Sequence, residues 1–100
     1  MRIAVPYDNG KIGEHFGKTE AFKIYVFIDH ELVGNSIEQT EGQGHDYIPY
    51  FLKEKGVDIV LCKNMGEGMM RSLSAVDIQF EIGITGDADA QVEAYAEGLK

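Results

Sequence analysis

Lys55-Gly56-Val57-Asp58-Ile59-Val60-Leu61-Cys62 is the stretch on which the fold turns. From Ile59 to Cys62 every residue is apolar, with no polar alternation. A strand buried on both faces reads this way, as central strands of parallel sheets do. Gly56 stands just ahead of it, where a helix ends on a residue that accepts a left-handed conformation. A helix, a glycine stop and a central strand over Asp58–Cys62 form one arm of a βαβ unit. That places the chain in the α/β class with right-handed crossovers.

Outward from this stretch the pattern continues on both sides. Upstream, Asp46–Lys55 reads as a helix with Ile48, Phe51, Leu52 and Lys55 on nearly one side and Pro49 in its first turn. Downstream, Gly66–Ala75 reads as a helix carrying Met69, Met70 and Leu73, and Ile78–Ile82 as a strand alternating Ile78, Phe80 and Ile82. Gly83–Gly86 is a loop and Asp87 an N-cap. A last helix follows with Val92, Tyr95, Ala96 and Leu99 as its buried stripe. The first forty residues are a meander. Arg2–Pro6 is a strand, Tyr7-Asp8-Asn9-Gly10 a turn, and Lys11–Glu20 a loop. Ala21–Ile28 and about Leu32–Gln39 form a hairpin around Asp29-His30-Glu31. The expected order is β-β-β-α-β-α-β-α in a single domain over residues 1–100.

Composition narrows the function classes. With 44% apolar residues in 100, the chain supports one modest core without staples. One cysteine cannot form an internal disulfide, which fits a reducing, cytoplasmic setting. No apolar run reaches the roughly 20 residues of a membrane span, and the opening reads as a strand instead of a leader. A net charge of −8, with nine Lys and Arg spread along the chain, offers no basic stripe for nucleic acid or anionic membrane.

Chemistry-bearing residues gather at one edge of this arrangement. If the first, third, fourth and fifth strands run parallel, their carboxyl ends share an edge, where open α/β sheets bind ligands. The loops there carry His15 with Gly13 and Gly17, His45 after Gly42 and Gly44, Cys62, and Gly83-Ile84-Thr85-Gly86. His30 belongs to the opposite edge. Imidazole and thiolate hold soft or borderline metals and iron–sulfur clusters. His15 is a metal ligand or an exposed loop residue. His45, placed before a helix N-terminus that favours anions, is a ligand or a cap. Cys62 is a ligand or a small buried hydrophobe.

Other chemistries lack their parts. A lone cysteine has no Cys-x-x-Cys partner, and cannot hold a cluster by four thiolates or complete a structural zinc site. Met65-Gly66-Glu67-Gly68-Met69-Met70 begins like a dinucleotide loop, but Arg71 stands where the third glycine belongs. Its methionines fill core gaps or lie as soft neighbours of a metal. Asp8 and Glu14 lie near the histidine edge as turn residues. No acid, base and nucleophile converge, so a non-enzymatic protein is expected.

Taken together, these residues resemble the dinitrogenase iron–molybdenum cofactor binding (biosynthesis) family. The resemblance runs through Ile3-Ala4-Val5-Pro6, Gly13-Glu14-His15-Phe16-Gly17-Lys18, Gly44-His45, Gly56–Cys62, Asp89–Tyr95 and Gly98-Leu99. It implies a three-layer ribonuclease-H-like fold. The sheet would have five strands in the order 3-2-1-4-5, strand 2 antiparallel, with about three helices. It implies an iron–molybdenum cofactor or related iron–sulfur cluster as ligand, a nitrogen-fixation-related role, and a cluster donor or acceptor protein as partner. Carried over to this chain, the metal ligands would be His15, His45 and Cys62, with Gly17, Gly44 and Gly66 as cofactor-binding walls. The family often has a Gly-Gly pair after the strand cysteine; here Lys63-Asn64 stands in its place. The nuclease chemistry of ribonuclease-H-like folds is not expected, because Asp58 opens its strand at the wrong edge and Ile3-Ala4-Val5 supplies no carboxylate. The expected function is carriage of a cluster. The alternative is a regulatory or scaffold domain that binds a protein partner and no metal.

Overall fold

The computed structural model describes residues 1–42 and 44–99. Gln43, between two of the loop glycines, and Lys100 lie outside the described residues.

The strands are β1 (Arg2–Asp8), β2 (Lys11–Ile12), β3 (Ala21–Ile28), β4 (Glu31–Gln39), β5 (Ile59–Leu61) and β6 (Gln79–Glu81). The helices are α1 (Ile48–Glu54), α2 (Glu67–Ala75) and α3 (Ala88–Gly98). The sheet runs β4-β3-β1-β5-β6, with β2 attached to β1. β3 is antiparallel to both β1 and β4, while β5 is parallel to β1 and to β6. The carboxyl ends of β1, β4, β5 and β6 therefore share one edge.

The alternation of β1 divides the core. Ile3 and Val5 point to one face and Ala4 to the other, as the two-residue strand period requires. Ala4 joins Phe22, Ile24 and Val60 under α1 and α2, which contribute Ile48, Phe51, Leu52 and Leu73. Ile3 and Val5 join Tyr25, Phe27 and Leu61 under α3, which contributes Ala88, Val92 and Ala96. The result is a mixed α/β protein with three helices on two faces of one sheet. The β1–β5 ladder covers Ile3 and Ala4, so Pro6 lies beyond it, where a residue without an N–H is tolerated.

Several boundaries differ from the sequence reading, each for a local reason. The sheet has six strands, not five. Asn9 (φ 48°) and Gly10 (φ 88°) are both left-handed, the conformation of a tight two-residue hairpin, and they turn Lys11–Ile12 back onto β1. The rest of the expected loop holds a short 3-10 turn over Phe16–Lys18. The first helix starts at Ile48 and not Asp46. Pro49 has no N–H to give His45, so the Ile48 N–H takes that carbonyl in a 3-10 turn over His45–Tyr47. Gly66 is the N-cap of α2, not part of it. Leu99 is exposed, and the stripe of α3 is Val92 and Ala96 with Tyr95 at its margin. Asp87 caps α3 by accepting the Ala90 N–H at 2.9 Å.

A polar cluster seats α3 on the sheet. The buried Tyr25 hydroxyl donates to Asp89 Oδ1 at 2.6 Å, and Lys23 Nζ lies 2.8 Å from the same oxygen. The hydrogen bond from Lys23, then that from Tyr25, holds the Asp89 carboxyl below its usual range. Burial, then the bond to Asp89, raises the Tyr25 phenol. Lys23 also lies over the Tyr7 and Tyr25 rings, 5.5 and 5.2 Å from their centroids, so its stem packs while its charge is matched.

Candidate metal-cluster site

Two cavities open at the shared carboxyl edge, separated by the Phe16–Lys18 turn. Phe16 anchors that turn: it is buried and meets Phe22 edge-on, with centroids 5.5 Å apart. On one side, Phe16 and Gly17, His45 and Asp46, and Met65, Gly66, Gly68 and Met69 line a cavity of about 410 Å³. That lies within the roughly 300–1,000 Å³ of small-ligand sites. On the other side, His15, Lys18, Asp8, Glu14 and Glu20 line a more polar hollow of about 470 Å³.

The predicted site residues are thus partly brought together. His45, Gly17 and Gly66 share the first cavity, while His15 faces the second. The turns carrying the two histidines touch. A Cβ built on Gly17 would sit 3.4 Å from the His45 Cβ, in van der Waals contact with it. Gly44 is left-handed at φ 83° and opens the 3-10 turn of His45 without lining either cavity. Cys62 is 1% exposed, packs in the core beneath α1 and α2, and lines neither cavity. Burial pushes its thiol up to about 11, so it stays protonated at neutral pH, whereas metals take the thiolate. His30 sits in the β3–β4 hairpin at the opposite edge, at φ 68°.

His45 has the better-prepared imidazole. Asp46 Oδ1 lies 3.1 Å from its Nε2, leaving Nδ1 free, and its side chain is 67% exposed. A carboxylate on the second ring nitrogen is the usual partner of a metal-bound histidine, where it sets the tautomer. Asp46 is itself well exposed, so the pair adds little to the stability of the fold.

Of the third wall the sequence named Gly66, but not Gly68 or the amides at the start of α2. α2 begins at the cavity with no side-chain cap, and the Met70 N–H is the one that reaches back to the Gly66 carbonyl, at 3.1 Å. The amides ahead of it have no partner within the helix and carry its positive end. A Cβ on Gly66 or Gly68 would meet nothing within 4 Å, so these glycines leave open space. The signal was the pair Gly66-x-Gly68 at a helix start, legible without a complete dinucleotide motif. Met65 and Met69 add soft thioethers. Lys63 and Asn64 do not fill the cavity: Lys63 Nζ reaches Glu14 at 3.3 Å, and Asn64 Oδ1 accepts the Met65 N–H at 2.9 Å. Among the described residues, no three His, Cys, Asp or Glu side chains converge to cage a metal ion.

Comparison with known proteins follows this geometry. An uncharacterized protein of Methanocaldococcus jannaschii, MJ0580, is 25% identical over 98% of this chain and 87% of its own length. The crystal structure of PH0822 superposes with a TM-score of 0.93 at 22% identity, over 98% of this chain and 90% of that one. A candidate dinitrogenase of M. jannaschii, MJ0327, gives a TM-score of 0.79 at 23% identity, over 98% and 89%. A candidate NifB protein from Thermotoga, TM1290, gives 0.72 at 24% identity, over 97% and 88%. At these identities the solved structures establish likeness of fold. Residues 1–98 match the family described as dinitrogenase iron-molybdenum cofactor, and the chain belongs to that family.

Proposed function

We propose that this protein binds and carries an iron–molybdenum–sulfur or iron–sulfur cluster as cargo, without catalysing a reaction, in cytoplasmic exchange with donor or acceptor proteins. The fold is read as ribonuclease-H-like, used here as a scaffold for the edge cavity. The single observation that carries the proposal is the cavity itself. It sets one carboxylate-backed imidazole among thioethers, glycines and a helix amino terminus, in a chain of the cofactor family. In this reading His45 Nδ1 ligates an exposed metal and the α2 amides face the anionic sulfur surface. His15 gives a second contact from the neighbouring turn, and Cys62 serves as core. One or two protein bonds and glycine walls suit a cargo that must leave again.

A second reading, a scaffold domain that binds a protein partner without metal, is favoured by β4. It is an edge strand, and Leu32, Val33 and Ile37 are exposed along it. Such an edge offers unpaired backbone groups to another strand.

Anaerobic titration of the reduced protein with isolated iron–molybdenum cofactor and with an iron–sulfur cluster, followed by absorbance, separates the two. We expect saturable binding, weakened at least about 10- to 100-fold by His45→Ala, since loss of an outer partner alone costs a metal site that much, and less by His15→Ala. Equal binding by wild type and both variants would remove the histidines from the site. No binding by wild type would favour the scaffold reading.

A further inference from the structure

We infer that Thr40 is a positioning residue that clamps the loop carrying His45 to the turn carrying His15 and Gly17. Among the described residues it is the one buried side chain of the non-aromatic polar or charged kinds, 4% exposed. A buried hydroxyl needs a partner, and this one finds two across the molecule. Thr40 Oγ1 donates to the Thr19 carbonyl at 3.0 Å, with the Glu20 carbonyl at 3.2 Å sharing the same proton. The Thr40 N–H donates to the Glu20 carbonyl at 2.8 Å.

The link continues on both sides. Thr19 Oγ1 donates to the Phe16 carbonyl at 2.6 Å, and the Thr19 N–H reaches the same oxygen at 3.1 Å. Lys18 N–H donates to the His15 carbonyl at 3.0 Å, closing the turn. In the other direction the chain leaves Thr40 through Glu41 (φ 61°), Gly42 (φ 68°) and Gly44 (φ 83°) before reaching His45. A non-glycine residue in the left-handed region costs energy, so Glu41 holds its conformation best when its neighbour Thr40 is fixed. The two arms of the clamp come together where a Cβ on Gly17 would stand 3.4 Å from the His45 Cβ. Valine would fill the same space and leave the carbonyls of Thr19 and Glu20 without the hydroxyl donor.

The functional meaning rests on the cluster-binding reading, but the positioning itself is testable without any ligand. In Thr40→Val, the nuclear Overhauser contact between Gly17 Hα and His45 Hβ should weaken, and the His15 and His45 imidazole resonances should shift. Resonances of α3 should stay in place. Thr40→Ser, which keeps the hydroxyl, should restore the wild-type pattern. Affinity for isolated iron–molybdenum cofactor should fall about tenfold in Thr40→Val, the weight of one hydrogen bond, and recover in Thr40→Ser. If Thr40→Val does not fold, Thr19→Val breaks the next link, with the same loss of contact expected. An unchanged Gly17–His45 contact in whichever valine variant folds overturns the inference. If wild type takes up no cofactor, the functional reading fails while the contact still decides the positioning.

Discussion

Phe22→Ala is expected to destabilise the protein by about 3–5 kcal/mol, the usual cost of truncating a buried phenylalanine with its cavity left behind. Phe22 is fully buried on β3 and joins two elements outside the sheet. Its ring meets Phe16 at 5.5 Å and Phe51 of α1 at 6.0 Å. Domains of this size hold about 5–15 kcal/mol in total, so the variant should lose a large share of its stability. Its melting temperature should fall by roughly 12–40 °C. The exposed Tyr50→Ala serves as a control and should stay within about 0.5 kcal/mol of wild type. A urea or thermal melt measures both. A loss below about 1 kcal/mol for Phe22→Ala would mean that the aromatic cluster does not tie the Phe16–Lys18 turn to the core.

Gly68→Asp is expected to separate stability from binding. Gly68 is the second residue of α2, and a Cβ there meets no atom within 4 Å. An acidic residue in a first helical turn contributes about 0.3–1 kcal/mol, and leaving glycine removes a further helix penalty of a few tenths. The fold should therefore be unchanged or slightly stabler. The same carboxylate lines the cavity and repels an anionic cluster. Like charges about 4 Å apart cost about 1 kcal/mol in bulk water and about 4 kcal/mol at an effective dielectric of 20. Affinity should drop between about fivefold and several hundredfold, while Gly68→Asn stays close to wild type. Melts and the anaerobic titration read the two effects independently. Undiminished binding by Gly68→Asp would place the cargo elsewhere.

Much of the architecture was legible because it depends on short-range pattern. The apolar run Ile59–Cys62 marked a central strand, and the hairpin around Asp29-His30-Glu31 was readable from its two flanking strands. Asp87 announced the start of α3, and its cap bond is present. Errors arose where a single backbone atom decides the outcome. The missing N–H of Pro49 turns two expected helical residues, Asp46 and Tyr47, into part of a 3-10 turn, and the Asn9-Gly10 turn adds a strand. The candidate site was less legible, because a cavity is defined by what packs around it. Sequence order puts His15 and His45 on one edge, but only the seating of Phe16 against Phe22 decides which cavity each faces. For Cys62 the deciding signal was already in hand. The apolar run that makes β5 a central strand also draws the residue after it into the core.

The most direct test of cluster binding at this cavity is the amide spectrum of labelled protein with and without isolated iron–molybdenum cofactor, recorded anaerobically. A bound paramagnetic cluster broadens nearby resonances. The account predicts that Gly17, His45, Gly66, Gly68 and Met69 broaden first, followed by His15, while His30 and α3 stay sharp. Broadening centred on the His15 hollow or on the β3–β4 hairpin, with the cavity amides sharp, would contradict it.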